Sequence, residues 1–156
     1  MPAEWLIENG IAETRAILVS DDEILAARVD WAEHVRPGLV AQAQLIARPA
    51  GTRRGTVRLE SGHEALIEHL PPSATEGSRI TVRITRAAIA EKGRTKLPVA
   101  RPAPGESPHP APTLAESLAT TDFPVRILPA TDNAFARHGW DDLVEQALSG
   151  EVAFNG

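Results

Sequence analysis

Ile80, Val82 and Ile84 alternate with Arg79, Thr81, Arg83 and Thr85. A strand over Arg79–Arg86 would bury the branched apolar side chains and turn a basic, hydroxyl-bearing face to water. The same period of two recurs nearby, with Val57 and Leu59 opposing Thr56, Arg58 and Glu60. Between Gly38 and Ala100 the pattern predicts five short strands: Leu39–Ala47, Thr56–Glu60, Glu64–Leu70, Arg79–Arg86 and Thr95–Ala100. Turn chemistry separates them, at Pro49-Ala50-Gly51, Ser61-Gly62, Pro71-Pro72 and Glu91-Lys92-Gly93. Five short strands with a longer connection after the third suit a small Greek-key barrel of the OB type.

Upstream, Glu4–Glu8, Thr14–Val19 and Ile24–Trp31 read as a three-strand meander, the last two joined by the acidic turn Ser20-Asp21-Asp22-Glu23. Downstream, five prolines in the twelve residues Arg101–Pro112 predict a semi-rigid, solvated linker. Thr113 is placed to cap a helix through Leu118, Val125–Leu128 reads as a strand, and Trp140–Leu148 as an amphipathic helix stopped at Ser149-Gly150. Glu151–Phe154 reads as the start of another strand. The expected protein is mostly β with short helices. Its five-stranded barrel spans residues 36–101, a linker spans 102–112, and residues 1–35 join 113–156 in a small α/β lobe.

Charge sharpens this division. Twelve of the sixteen Lys and Arg lie between Arg36 and Arg101, against five glutamates, although the whole chain carries a formal charge of -5. Each flank holds eight acids and two bases. A basic, strand-patterned island between acidic arms points to a polyanion, because Lys and Arg that neutralise phosphates supply most sequence-independent nucleic-acid affinity. An unevenly charged but merely solvated surface is the plainer alternative. The six aromatics, Trp5, Trp31, Phe123, Phe135, Trp140 and Phe154, all lie in the acidic arms. The absence of cysteine excludes disulfides, thiol catalysis and thiolate zinc sites, and suits a reducing cytoplasm. No apolar run is long enough for a membrane span, and the opening MPAEWLIENG lacks the pattern of a secretory signal.

Three groups of cations stand out: Arg53, Arg54 and Arg58 on one hairpin and its outgoing strand; Arg79 and Arg83 on one strand face; Lys92, Arg94 and Lys96 around one turn. On a closed barrel they are expected to converge and follow a phosphate backbone. The acids suggest less. Asp21, Asp22 and Glu23 suit a solvated turn better than a metal site, and Asp141 or Asp142 suits a helix N-terminus better than two-metal nuclease chemistry with Asp132. No histidine has a partner at a ligand spacing. Trp5, Trp31 and Trp140 are expected in core or inter-domain packing ahead of base stacking.

These residues also resemble a known family. Glu4-Trp-Leu-Ile-Glu-Asn and Glu13-Thr-Arg-Ala-Ile-Leu-Val19 are similar to the start of ribonuclease E/G proteins, in which a strand meander precedes an inserted RNA-binding barrel of the ribosomal-protein-S-one type. Gly38–Ile46, Gly55–Leu59, Glu64–Glu68 and Glu76–Arg86 with Glu91-Lys-Gly93 resemble that barrel's strands and its Lys-Gly turn, and Gly150–Gly156 resembles the lead-in to the catalytic subdomain. The resemblance implies an RNase H-like lobe around the barrel and single-stranded RNA as partner. It also implies a magnesium-dependent catalytic part, whose paired aspartates have no counterpart in this chain. Where the family presents aromatics to RNA, this chain has Ala41, Thr56 and Leu66, and Glu68 stands at a typical histidine position. Stacking is worth about 1–3 kcal/mol per base, so phosphate contacts would have to carry the binding.

The expected function is therefore RNA binding by the barrel of a ribonuclease E/G-like protein. Arg53, Arg54, Arg58, Arg79, Arg83, Lys92, Arg94 and Lys96 would contact phosphate, with no catalytic residue, metal ligand or cofactor assigned in this chain. The alternative is a non-catalytic OB-fold adaptor that docks a protein partner; self-association is open under both.

Overall fold

A computed structural model describes residues 2–129 and 131–150. The chain divides into two compact units, Met1–Glu33 with Thr113–Gly156, and His34–Pro112.

The first unit begins with an antiparallel meander of β1 (Glu4–Asn9), β2 (Glu13–Ser20) and β3 (Glu23–Trp31). The β2–β3 turn is only Asp21-Asp22, and both take positive φ, 49° and 67°. That is the mirror-image turn which matches strand twist, and aspartate tolerates it better than most residues. In β2 the run Ala16–Val19 is buried without alternation. Such a run marks a strand covered on both faces, and the core divides accordingly.

The second unit carries the barrel. Its strands are β4 (Val40–Ala47), β5 (Gly55–Leu59), β6 (Glu64–Ile67), β7 (Arg79–Arg86) and, after the small hairpin β8 (Ile89–Glu91) and β9 (Arg94–Lys96), β10 (Val99–Pro102). The order β10-β6-β5-β4-β7 closes through β7–β10, and β6–β10 is its parallel pair. Numbered within the barrel, the strands run 1-2-3-5-4 and back to 1, the OB arrangement. Leu45, Val57, Ile67, Val82 and Ile84 fill the interior, and no charged or polar residue is buried among the described residues. The alternation along Arg79–Arg86 is realised, with Val82 and Ile84 inside and both terminal arginines exposed.

Three expectations need correction. The strand read over Thr95–Ala100 is two elements: Arg94–Lys96 pairs with Ile89–Glu91, and the barrel strand begins only at Val99. Pro98 between them has no N–H to donate, so it ends one ladder and starts another. The third barrel strand stops at Ile67, short of Leu70, because His69 adopts a left-handed φ of 60°. The Pro-rich segment is laid along the barrel and is not a solvated spacer. Pro102 belongs to β10, the Ala103 N–H donates to the Thr81 carbonyl, and His109 and Val40 exchange both backbone hydrogen bonds. Ala103, Ala111 and Val40 are buried. Alternate prolines do not prevent this, because the residues between them keep their N–H groups.

The C-terminal segment completes the first unit. Helix α1 (Leu114–Leu118) starts with a full capping box between Thr113 and Glu116. Strand β11 (Val125–Ile127) joins β1 in parallel, giving the order β11-β1-β2-β3. A short α2 (Ala134–Arg137), which the sequence pattern did not announce, precedes α3 (Trp140–Ser149), and Gly150 closes α3 in the left-handed conformation. One face of the sheet, with Leu6, Ile17 and Val19, packs against Leu128, Phe135 and Trp140. The other, with Trp5, Ile7 and Leu18, packs against Leu114 and Leu118. Trp5 and Trp140 are thus core residues, whereas Trp31 stays 47% exposed. The strand expected at Glu151–Phe154 lies outside the described residues.

Candidate nucleic-acid interface

Barrel geometry sorts the eight candidate cations into separate places. Arg79 and Arg83 occupy the outer face of β7, as their alternation with buried Val82 and Ile84 requires. Arg58 sits on β5, opposite Glu64 of β6 in the register, and their side chains pair at 2.8 Å. Arg54 lies 3.8 Å from Glu68 and Arg79 lies 3.7 Å from Glu60. Arg83 Nη2 donates to Glu106 Oε1 at 2.8 Å. On the β8–β9 hairpin, Glu91 takes both Arg94 at 2.8 Å and Lys96 at 2.6 Å.

The barrel's acids therefore sit beside its bases. The Lys96 and Arg94 hydrogen bonds hold the Glu91 carboxyl below its ordinary range. Glu106 raises the Arg83 guanidinium, and Arg83 in turn lowers Glu106, in both cases chiefly through their hydrogen bond. These pairs lie at the surface; Arg79 and Glu60, for example, are 73% and 67% exposed. Surface ion pairs contribute little because water screens them, so exchanging such a carboxylate for a phosphate costs little.

The three sequence clusters are not gathered into one groove. Arg53 and Arg79 line a groove of about 720 Å³ together with Arg101, His69, Pro102 and Pro104. Among the described residues, no carboxylate contributes to its lining. Arg58 and Arg79 line a smaller recess of about 270 Å³ with Gln42, Gln44 and Glu60. Lys92, Arg94 and Lys96 stay on their own two-stranded hairpin.

Arg101 and His69 were missed in the sequence. Arg101 opens the Pro-rich segment and reads as linker there, but β10 runs through it. His69 reads as a strand residue, and only its left-handed backbone takes it out of the ladder. Arg48 was also passed over, and it has a local structural role. Its Nη1 donates to the carbonyls of Pro71 and Ala74, its Nε donates to Thr52, and its own amide donates to Glu76. It thereby ties the loop after β4 to the connection between β6 and β7.

On the β5–β6 face, Thr56 and Leu66 are register partners and Leu66 is 43% exposed, while Val99 extends the same row on β10. Ala41, read as a third position of that face, instead packs against the barrel core. This face offers a small apolar row and no stacking ring.

In the first unit, Asp132 pairs with Arg137, and Asp141 and Asp142 lie in the first turn of α3, where negative charge complements the helix dipole. Among the described residues, no group of three or more His, Asp or Glu is arranged to hold a metal ion. Nor is any described helix long and apolar enough to cross a membrane. No protein-family model matches the chain, and no curated protein sequence matches it.

Proposed function

We propose that the barrel binds single-stranded RNA through its phosphates, as the RNA-binding region of a cytoplasmic, ribonuclease E/G-like protein. No bond-breaking step, metal or cofactor is assigned to the described residues. The observation that carries this reading is the acid-free groove in which Arg53, Arg79 and Arg101 meet on an OB-type barrel. OB barrels serve many ligands, so the fold alone does not decide among them. The charge arrangement does favour a polyanion. The cations stand outside an interior free of charge, and the carboxylates that pair with them range from half-buried Glu68 to exposed Glu60.

Without a stacking ring on the β5–β6 face, counterion release supplies nearly all the affinity. Binding of a fluorescent single-stranded RNA is then weak, indifferent to base sequence, and falls steeply and log-linearly with salt. Affinity that barely responds to salt would sink the reading.

The exposed row of Leu66 beside Thr56 and Val99 favours a second reading, a protein-docking adaptor. A discrete protein partner lost on Leu66→Lys, with no RNA affinity at low salt, would establish it.

A further inference from the structure

The Arg53–Arg79–Arg101 groove, where the β4–β5 loop, the start of β7 and the end of β10 meet, has the makings of a defined nucleotide seat. We infer that it holds one phosphate–sugar–base unit of the single strand, the phosphate on the three arginines and the base against the prolines. This inference rests on the RNA reading above.

The arginines are held in different ways. Arg53 Nε donates to the Leu70 carbonyl at 3.2 Å, while the Leu70 N–H donates to the Arg53 carbonyl. This reciprocal clasp orients the Arg53 guanidinium and leaves its Nη groups for a ligand, since a guanidinium has five N–H donors. Among the described residues Arg79 reaches only Glu60, at 3.7 Å, beyond hydrogen-bond length. Arg101 faces Arg83 across β10–β7, but it is Arg83 that Glu106 neutralises. Arg101 makes no ion pair among the described residues. Three guanidinium groups around one concavity repel each other in the free protein, and an anion relieves that repulsion while the concavity concentrates the field.

The rest of the lining fits the rest of a nucleotide. Pro71, Pro102, Pro104 and Ile80 give the groove an apolar wall among its cations. A flat base can lie on such a wall without the specificity of a hydrogen-bonded edge, and the volume of about 720 Å³ is ample for one nucleotide. His69 completes the lining from a backbone conformation unusual for a non-glycine residue, φ 60°, and such strain concentrates where a side chain serves a ligand.

The test compares Arg53→Glu, Arg101→Glu and the hairpin variant Lys92→Glu in the full chain, using fluorescence anisotropy with a uridylate decamer. Amide NMR spectra confirm that each variant is folded, and Arg101→Gln serves as a milder replacement. The groove variants are expected to lose affinity about tenfold or more, and each to flatten the salt slope by roughly 0.7 per phosphate contact, while Lys92→Glu loses only about two- to threefold. Uridine monophosphate titrated into the parent should shift the amides of Arg53, His69, Arg79 and Arg101 ahead of those of β5 and β8–β9. If the parent binds RNA but the groove variants bind equally well, or if the shifts lie on β5–β6, the seat is wrong and the RNA reading survives. If the parent binds no RNA at low salt, the RNA reading falls and the assignment falls with it.

Discussion

Arg83 and Glu106, 23 residues apart, join the outer face of β7 to the Pro-rich segment through one 2.8 Å hydrogen-bonded ion pair. Around it, the Ala103–Thr81 and His109–Val40 backbone bonds hold the same segment. The pair stands between two such fastenings, and Arg36 adds a third through the Pro112 carbonyl.

Titration of Glu106 should therefore reach the segment. Its carboxyl is held below its ordinary value of 4.5 by Arg83, so the pair's contribution is complete above that value and disappears as pH falls through the lowered one. Hydrogen exchange at Ala103 and His109, corrected for intrinsic rates, should be constant above about pH 5 and accelerate only in more acid solution. Glu106→Gln should abolish the acid-dependent step. An unchanged acid limb in that variant would show that another group is responsible.

Limited proteolysis reads the same packing. A protease of broad specificity should cut around the β8–β9 hairpin, whose β9 residues are all exposed, before it cuts between Ala103 and Pro112. First cleavage within the Pro-rich segment would contradict its attachment to the barrel.

Arg48 supplies a sharper energetic test. Arg48→Ala leaves the Pro71, Ala74 and Thr52 carbonyls without their charged donor and should destabilise the barrel by about 2 kcal/mol, read from urea unfolding. Arg54→Ala, which gives up only a surface contact of 3.8 Å, should cost under about 1 kcal/mol. Equal effects would refute the clamp.

Ile67 belongs to the barrel core and has no exposed surface. Ile67→Ala removes apolar volume from a closed interior that cannot easily collapse, and should cost about 3 kcal/mol. The loss should appear in amide exchange of β5 and β10, its ladder neighbours. A cost below about 1 kcal/mol would mean that the barrel interior is looser than its burial indicates.

The helix cap gives a smaller effect. Thr113→Ala removes half of a complete capping box on a five-residue helix and should cost about 1 kcal/mol. Thr113→Ser, which keeps the hydroxyl, should restore most of it.

Local chemistry made much of this fold legible. Period-two alternation marked β7 from Arg79 to Arg86, Thr113 marked the start of α1, and Gly150 marked the end of α3, because each signal acts within a few residues of chain. The short α2 carried no side-chain cap, and nothing local announced it. Charge blocks drew attention to the barrel's surface for the same reason, since they are written in one dimension.

Convergence is not local. Arg53, Arg79 and Arg101 come from a loop and two different strands, and only closure of the β7–β10 pair brings them to one groove. Proline content pointed to a solvated spacer between Arg101 and Pro112, whereas the segment turns at Pro104-Gly105 and lies along the barrel. Whether that segment floats or lies on the barrel depended on Thr81, Val40 and Arg83 far away in sequence. Backbone preference and side-chain period place most of the strands and the helix caps without any tertiary information. Which cations share a groove and which acids sit beside them came only with the fold, because barrel closure and the packing of the loops set those distances.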